Sequence, residues 1–355
     1  MVTLADDHAA AIHDAVETAF PVTGAEVRDG RLVFDIMPGA DDKARFLRLR
    51  SDLDPLGVLP LLRRREGKTV IMLAPKPPRT ATRWTLPAGL FAATFVTMFL
   101  AGGLNTATGR GLGQFVAAGL AFSLSLMAIL FCHEMGHKLV SIWRGIDAGL
   151  PYFIPMVPIP GLGSGTLGAV IFTRTPAPNR DALVELGASG PIAGFVAAVP
   201  FLIYGVTHSS LVARSALLGH GCSFSDPLLV DFLVRWLLHP DPSMEVISHP
   251  VLFAGWWGLL VTAINLLPGS MLDGGHVTRA LFGSRAHLIL SVVAAGVAYY
   301  FRYWPMAVLI LLLLRRGHPG PLDDCSPVTA GRVAMAGALV VIFALSVVPI
   351  SISCL

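Results

Sequence analysis

The fold of this chain is decided by residues 113–137, GQFVAAGLAFSLSLMAILFCHEMGH. No residue from Gly113 to Phe131 is charged, and a helix needs about 20 apolar residues to cross a bilayer. The run ends in His133, Glu134 and His137. Ionisable groups inside a membrane segment cost roughly a few kcal/mol by insertion scales, so such groups usually serve a function. The segment therefore predicts a transmembrane helix that carries a functional site.

The composition extends this membrane character to most of the chain. Of its 355 residues, 54% are hydrophobic and 14% are charged, whereas a soluble protein carries about 25% charged residues. Twelve of the 23 acidic residues lie within residues 1–80. The sequence therefore predicts a soluble cytoplasmic α/β domain over residues 1–80 and a membrane-embedded domain over residues 81–355. The net charge of +3 is too small to indicate a nucleic-acid partner.

The predicted fold class is a mainly α membrane protein, a polytopic bundle of about six or seven transmembrane helices. Apolar segments of suitable length predict the spans, at roughly 85–104, 113–139, 187–206, 251–269, 286–302, 303–314 and 330–350. In the amino-terminal domain, apolar patterns predict strands at Arg31–Met37 and Lys68–Leu73 and a helix at Asp41–Leu53. Leu228–Leu238 is apolar but contains Asp231 and Arg235, which predicts a helix lying at the membrane interface.

Between the second and third spans lies a segment that is apolar but cannot be a regular helix. Residues 150–160 contain four prolines, and a proline inside a helix removes a hydrogen bond and clashes with the preceding turn. Irregular backbone at membrane depth is tolerated only against protein or a water-filled cavity. We therefore predict a re-entrant segment here, with a strand at Thr166–Phe172.

The basic residues and the amino terminus predict the membrane and the orientation. Ten of the 14 basic residues that follow residue 80 fall on the side of the amino terminus, which the positive-inside rule makes cytoplasmic. Residues 1–21 lack the basic start and apolar core of a secretory signal. The expectation is a multi-pass protein of a bacterial inner membrane, with its amino terminus and the mouth of its site toward the cytoplasm.

His133 and His137 are four residues apart, so on a helix they share one face and can hold one Zn²⁺. Glu134 is placed to take a proton from a water molecule at that metal. Catalytic zinc usually has three protein ligands, and Asp273 is the best candidate for the third. It follows an apolar run, and Pro268, Gly269 and Gly274 are expected to break the helix there. The alternatives are an accidental motif and an aspartate at a helix-ending turn.

The two motifs resemble the site-2 protease family of intramembrane zinc metalloproteases. His133-Glu-Met-Gly-His137 pairs with Asn265-Leu-Leu-Pro-Gly-Ser-Met-Leu-Asp273-Gly, and Gly187-Ala-Ser-Gly-Pro-Ile-Ala-Gly194 is also similar. The likeness is greatest to the branch of photosynthetic organisms and bacteria that lacks a PDZ domain. It implies zinc held by His133, His137 and Asp273, with Glu134 as the catalytic base. It also implies a role for Asn265 near the substrate or the developing oxyanion.

The resemblance implies that residues 81–355 form the metalloprotease domain. It further implies peptide-bond hydrolysis within or near a transmembrane helix of another membrane protein, so the expected partners are that substrate and the lipid bilayer. The sequence indicates no particular oligomeric state. His276 could orient a ligand from behind, although a simple polar contact is the alternative. Fe²⁺ or Co²⁺ could occupy the same ligands in place of zinc.

Two other functions use the same residues. A membrane metal-ion transporter would also bury His and Asp, but it would carry ionisable groups along several spans or an internal repeat. A catalytically silent membrane scaffold derived from a protease tends to lose the glutamate or a ligand, and here all four residues are present. The compact cluster and the adjacent Glu134 favour hydrolysis.

Overall fold

The structure, a computed structural model, describes residues 6–28, 31–78, 83–107, 111–158, 163–213, 222–348 and 352–354. The chain begins with an α/β unit that we call the amino-terminal unit, residues 6–78. Its elements are α1 (Asp6–Ala19), β1 (Val22–Arg28), β2 (Arg31–Ile36), α2 (Asp42–Leu53), β3 (Val58–Arg65) and β4 (Lys68–Pro75). The antiparallel sheet has the order β1-β2-β4-β3, so β1 and β3 are its edges. Both predicted strands and the predicted helix are present, whereas α1, β1 and β3 were not predicted.

The remainder of the chain is mainly helical, as predicted. Its helices are α3 (Thr85–Thr106), α4 (Leu112–Trp143), α5 (Arg180–Thr207), α6 (Leu228–Leu238), α7 (Pro250–Asn265), α8 (Asp273–Tyr300), α9 (Trp304–Leu314) and α10 (Ala330–Ser346). Among the described residues, α3, α4, α5 and α8 are long and apolar enough to cross a membrane, and α7, α9 and α10 are shorter apolar helices. Every predicted span thus contains a helix, while the count of six or seven spans remains a prediction. Residues 349–350 of the last predicted span lie outside the described residues.

Helix α5 is at the centre of the helical part. It packs against α4, α7, α8 and α10, and α4 also packs against α3 and α7. One large apolar cluster includes Leu202 of α5, Leu259 of α7, Ala298 of α8 and Ile310 of α9, all buried. This packing fixes α4, α5 and the start of α8 relative to one another, and these are the elements that carry the predicted site.

The proline-rich segment between α4 and α5 forms a β-hairpin rather than a helix. Strand β5 (Tyr152–Pro155) pairs antiparallel with β6 (Thr166–Val170), which lies within the strand predicted at Thr166–Phe172. Phe153 is buried in a cluster with Met98 of α3 and Phe122 of α4. The hairpin is thus packed against helices, which are the surroundings expected of the predicted re-entrant segment. Residues 159–162 of the predicted re-entrant segment lie outside the described residues.

Helix α6, which packs against α5 and α10, has the bounds that the sequence predicted. Its buried face carries Val230 and Leu233, and its exposed face carries Leu228, Phe232 and Trp236 at four-residue spacing. An exposed apolar stripe on a short helix is what an interfacial helix needs. Two small antiparallel sheets lie in this region, β7 (Ser210–Ala213) with β9 (Met244–Ile247) and β8 (Cys222–Phe224) with β10 (Ile352–Cys354).

Candidate active site

The structure brings His133, His137 and Asp273 together. His133 Nε2 lies 3.1 Å from Asp273 Oδ2, and His137 Nε2 lies 3.3 Å from Asp273 Oδ1. Both histidines are buried, and one ligand atom from each of the three residues lies within 4.8 Å of the others. Within the described residues this is the one group of this kind. We call these three residues the metal cluster.

Asp273 reaches the histidines because the chain turns sharply after α7. Helix α7 ends at Asn265, residues 266–272 form a turn, and Asp273 is the first residue of α8. The break lies where Pro268 and Gly269 were expected to make it. Gly274, however, does not break a helix, because it lies in the first turn of α8. A Cβ atom on Gly274 would lie 2.2 Å from the carbonyl oxygen of Leu266, so glycine is required there for packing against the turn.

A glycine-lined face of α5 lets this helix lie directly against the metal cluster. A Cβ atom on Gly190 would lie 2.0 Å from His137 Nε2, and one on Gly194 would lie 2.9 Å from His133 Nδ1. A Cβ on Gly187 would lie 2.5 Å from the carbonyl oxygen of Asp273. The sequence contained the signal, since small residues at four-residue spacing mark close helix packing in membranes, but no role was assigned to these glycines.

A backbone group of α5 also fixes the orientation of His137. The Nδ1 of His137 donates a hydrogen bond of 2.7 Å to the carbonyl oxygen of Leu186, which can only accept. The lone pair of Nε2 therefore points toward Asp273 and the centre of the cluster. Histidine ligands of metals are usually held in this way through their other ring nitrogen. Leu186 was not predicted as part of the site, because a carbonyl oxygen leaves no signal in the residue type.

The other predicted site residues have different surroundings. Glu134 is buried, and it is within electrostatic range of His133, His137 and Asp273. Asn265 is at the site, with its Nδ2 at 3.5 Å from His133 Nε2. His276 lies one turn beyond Asp273, but its Nδ1 is 2.7 Å from Nε2 of His318, a residue of the α9–α10 loop that the sequence did not indicate.

The donor set of the metal cluster fits zinc. Two imidazoles and a carboxylate are a usual protein ligand set for a catalytic zinc ion, which keeps a further position open. With zinc–ligand bonds of about 2.0–2.1 Å, neighbouring ligand atoms of a tetrahedral site are about 3.3–3.4 Å apart. The distances of 3.1 and 3.3 Å, from the two histidine nitrogens to the two oxygens of Asp273, are close to this spacing. No Lys or Arg of the described residues forms an ion pair with Asp273, so its charge is left for a cation.

Apolar helices of membrane-spanning length, a buried zinc-type ligand set and an adjacent buried glutamate define a class, the membrane-embedded zinc metalloproteases. Comparison with known protein families supports the same class. The model of Peptidase family M50 matches residues 121–312, which is more than half of the chain. The chain belongs to peptidase family M50, the site-2 protease family. This confirms the family that the sequence motifs indicated.

Curated proteins from chloroplasts are similar to the chain. It is 28% identical over 250 residues to "Probable zinc metalloprotease EGY1, chloroplastic" of Arabidopsis thaliana, covering 66% of this chain and 44% of that protein. It is 29% identical over 244 residues to EGY2 of the same plant, covering 64% of this chain and 41% of that protein. These relatives are named as probable zinc metalloproteases, and they fit the predicted branch of photosynthetic organisms.

The similarity extends over a limited part of the relatives. For EGY3 of Oryza sativa subsp. indica, the identity is 25% over 299 residues, covering 76% of this chain and 49% of that protein. The chain thus spans less than half the length of these curated relatives. No solved structure matches the chain.

Proposed function

We propose that this chain hydrolyses a peptide bond within or near a transmembrane helix of a membrane-protein substrate, as an intramembrane zinc metalloprotease. One observation carries the proposal: ligand atoms of His133 and His137 in α4 and of Asp273 at the start of α8 lie within 4.8 Å of one another, next to the buried Glu134. A buried ionisable cluster in a membrane segment is expensive and therefore points to function. Membership of peptidase family M50 supports hydrolysis as that function.

The proposed reaction adds water to the scissile carbonyl. His133, His137 and Asp273 would hold a zinc ion, which would supply Lewis-acid polarisation of the carbonyl and lower the pKa of a water molecule. Glu134 accepts a proton from the attacking water as the new C–O bond forms. It then donates this proton to the amine nitrogen as the C–N bond breaks. The burial of Glu134 keeps bulk water away from the transferred proton.

Asn265 is proposed to stabilise the charge that develops on the carbonyl oxygen. Its Nδ2 lies 3.5 Å from His133 Nε2, so its amide hydrogens are close to the position of the reacting group. Preorganised hydrogen-bond donors of this kind are often worth a factor of about 10²–10³ in kcat. His276 is proposed as a weaker contributor, since its contact is with His318 rather than with a predicted ligand.

The hairpin between α4 and α5 is proposed to hold the opened substrate. The amides of a transmembrane helix are hidden in its own hydrogen bonds, so the segment to be cut must unwind first. Strand β6 is the second strand of a two-stranded sheet and exposes Leu167 and Val170. An extended peptide can add to such an edge through main-chain hydrogen bonds, which places few demands on sequence. Lys138, next to His137, ties the start of the hairpin to α4 by donating to the carbonyl oxygens of Ala148 and Gly149.

We also propose a membrane and an orientation for the chain. The apolar helices make the chain a membrane protein. We assign it to a bacterial inner membrane, with the amino-terminal unit and the mouth of the site toward the cytoplasm, on the distribution of basic residues. The transmembrane substrate and the lipid bilayer are its proposed partners.

The test compares wild type with Glu134→Gln, which keeps the shape of the side chain and removes the base. Membrane-protein fragments from cells that carry either form are analysed for new ends inside predicted spans. We expect such fragments only with wild type, a loss of cleavage of about 10²–10⁴-fold in the variant, and an unchanged zinc content. Glu66→Gln, at an exposed turn of the amino-terminal unit, is the matched control. Identical fragments from zinc-loaded wild type and Glu134→Gln would contradict the proposal.

The alternatives make different predictions for the same variants. A metal-ion transporter would take up labelled zinc into vesicles, and uptake would survive Glu134→Gln. A scaffold would keep its function after Asp273→Ala has removed the metal. Hydrolysis requires both residues, so loss of cleavage in both variants favours the protease over the transporter and the scaffold.

A further inference from the structure

The α9–α10 loop, residues 315–329, is part of two units of the molecule at once. Leu322 is 1% exposed and lies in the apolar core of the amino-terminal unit, with Phe46 and Ile71 among its neighbours in that core. The amide of Leu62 on β3 donates to the carbonyl oxygen of Leu322 (2.9 Å), and the amide of Asp324 donates to the carbonyl oxygen of Leu62 (3.2 Å). The loop therefore covers the exposed edge of the sheet at β3.

The other side of the same loop segment contacts the residues that lead into α5. The amide of Leu322 donates to the carbonyl oxygen of Ala177 (2.8 Å), and the amide of Asp323 donates to that of Pro178 (3.0 Å). Asp323 forms parallel bridges with both Leu62 and Asn179. Residues 322–324 are thus held between the amino-terminal sheet and the beginning of α5.

Asp324 then joins α5 to α8. Its carboxylate accepts two hydrogen bonds from Arg279, from Nη1 at 3.0 Å and from Nη2 at 2.6 Å. It also accepts from Arg180 Nε at 3.2 Å, and Arg180 Nη2 donates to its backbone oxygen at 2.6 Å. Burial raises the pKa of Asp324, but the hydrogen bonds and charge of Arg279 outweigh burial and hold this pKa below its usual value. The carboxylate is therefore a charged link between two helices.

Each of the two arginines lies six residues along its helix from a residue that contacts or belongs to the metal cluster. Arg180 precedes Leu186, whose carbonyl oxygen orients His137, by six residues on α5. Arg279 follows Asp273 by six residues on α8. Six residues of helix are about 9 Å long, so both connections are short and rigid. A displacement of either arginine moves a group that defines the position of a predicted metal ligand.

Two further contacts hold the loop against α8. His318 Nε2 lies 2.7 Å from Nδ1 of His276, one turn after Asp273. A Cβ atom on Gly320 would lie 2.5 Å from Arg279 Nη2, and Gly320 has a φ of +71°, so glycine is required at this position. The loop is therefore built to fit around Arg279 rather than being a neutral connection.

We propose that Asp324 is a positioning residue for the metal centre, because it fixes α5 and α8 relative to each other and to the amino-terminal unit. The proposal rests on the proposed function, since it takes His133, His137 and Asp273 as metal ligands. Asp324 itself touches neither these residues nor the expected substrate position. Its loss leaves the buried guanidinium of Arg279 without a counter-charge, so the loop and the first turns of α8 separate.

The test measures metal binding by the purified full chain in detergent. Zinc affinity is determined by competition with a chelator, and the geometry of the site is followed by the visible absorption of bound Co²⁺. In Asp324→Asn we expect zinc affinity to fall by about 10–100-fold, as for other residues that support ligands indirectly, with an altered Co²⁺ spectrum. In a cleavage assay we expect kcat to fall with little change in KM. Asp231→Asn, which removes an exposed ion pair with Arg235 on α6, is the matched control and should leave the metal site unchanged.

The outcomes separate this proposal from the proposed function. If wild type binds neither zinc nor Co²⁺, the metal centre and the proposed function are wrong. If wild type binds zinc and Asp324→Asn binds it equally tightly with the same Co²⁺ spectrum, the positioning role is wrong, even where the variant unfolds at a lower temperature. If Asp324→Asn does not fold, Arg279→Lys is used, because it keeps the charge and loses the paired hydrogen bonds. Unchanged zinc affinity in Arg279→Lys would also overturn the proposal.

Discussion

Two groups of buried and partly buried charges lie within a few helical turns of each other, and their carboxylates have different kinds of partners. In the metal cluster, the oxygens of Asp273 contact two histidines and no Lys or Arg of the described residues. In the second group, which we call the ionic layer, each carboxylate has basic partners. Glu185 pairs with Arg144 and Arg332, Asp324 pairs with Arg180 and Arg279, and Asp181 pairs with Lys43.

The difference separates function from structure among buried charges. A buried carboxylate with two arginines is already neutralised, and its removal leaves an uncompensated cation, so it belongs to the fold. A buried carboxylate that faces only imidazoles lacks a full counter-charge, so it is available to an external cation. The ionic layer joins α4, α5, α8, α10 and the amino-terminal unit around the metal cluster. The following experiments test this contrast, beginning with the largest expected effect.

Removing a carboxylate from the metal cluster should abolish function and spare the fold. In Asp273→Asn we expect zinc to be lost and cleavage of a transmembrane substrate to fall by about 10³-fold or more, because residues that act as a unit fail together. Zinc content, cleavage rate and thermal unfolding in the presence of a chelator are measured on the same preparation. A variant that loses stability as much as a variant of the ionic layer would break the contrast.

Removing a carboxylate from the ionic layer should mainly lower the stability of the fold. In Glu185→Gln we expect the free energy of unfolding to fall by about 2–4 kcal/mol, somewhat less than for a fully buried pair because Arg332 is partly exposed. Asp231→Asn at the exposed pair of α6 should change it by about 0.5 kcal/mol or less. Unfolding in detergent with increasing denaturant gives both values. Equal effects of the two substitutions would show that the layer does not stabilise the fold.

The glycine-lined face of α5 allows a test of whether this helix sets the position of His137 in the metal cluster. In Gly190→Ala the added methyl would meet His137 Nε2, so α5 or His137 must move. Overpacking of this kind typically costs about 1–3 kcal/mol, which corresponds to a loss of zinc affinity of about 5- to 150-fold. Gly296→Ala on α8 is the matched control, since nothing lies within 4 Å of its added Cβ. Unchanged zinc affinity in Gly190→Ala would mean that α5 does not set the position of His137.

The smallest expected effect concerns pH at the α9–α10 loop. Burial, followed by His276, His287 and Arg279 of α8, lowers the pKa of His318 to about 2. Its Nδ1 accepts a hydrogen bond from the Gly320 amide, which requires a neutral ring. When the loop opens, the pKa of the His318 imidazole returns to its ordinary value near 6.5. The open state therefore binds a proton as the pH falls below 6.5, whereas the closed state does not, so the closed state loses stability. Between pH 7.5 and 5.5 the loss is about 1.4 kcal/mol, or tenfold in loop opening.

Hydrogen exchange of residues 318–326, corrected for its intrinsic dependence on pH, measures this opening. His318→Gln serves as the control, because glutamine does not titrate in this range and should remove the difference between the two pH values. An equal tenfold change in His318→Gln would assign the effect to another group.

The sequence predicted the residues of the candidate site, but it did not predict the groups that hold those residues in position. His133, Glu134, His137 and Asp273 belong to short motifs whose spacing predicts a metal site, and the apolar runs around them predicted helices in every expected span. The support depends on backbone groups and distant contacts. Leu186 acts through a carbonyl oxygen, and Arg279 meets Asp324 across 45 residues. Neither leaves a local pattern in the sequence.

The amino-terminal unit shows the same limit. Strands β2 and β4 have buried apolar residues in short runs and were predicted, whereas β1 is almost entirely exposed and β3 contains Pro60 and ends in three arginines. Strand β3 is stabilised by β4 on one side and by residues 322–324 on the other. Such pairing across more than 250 residues is set by tertiary structure, and local propensity does not predict it.

The length of α4 has a consequence for the products of cleavage. His133 lies 21 residues after Leu112, the first residue of this helix, and that distance is about 32 Å along the axis. The hydrocarbon layer of a bilayer is about 30 Å thick, so a helix that started at one surface would place His133, and with it the proposed cut, near the opposite surface. Under the proposed function, a substrate cut at that level would keep nearly all of its apolar span on one fragment. The other fragment would retain a short apolar stub, which is too little to anchor it, and it would leave the membrane.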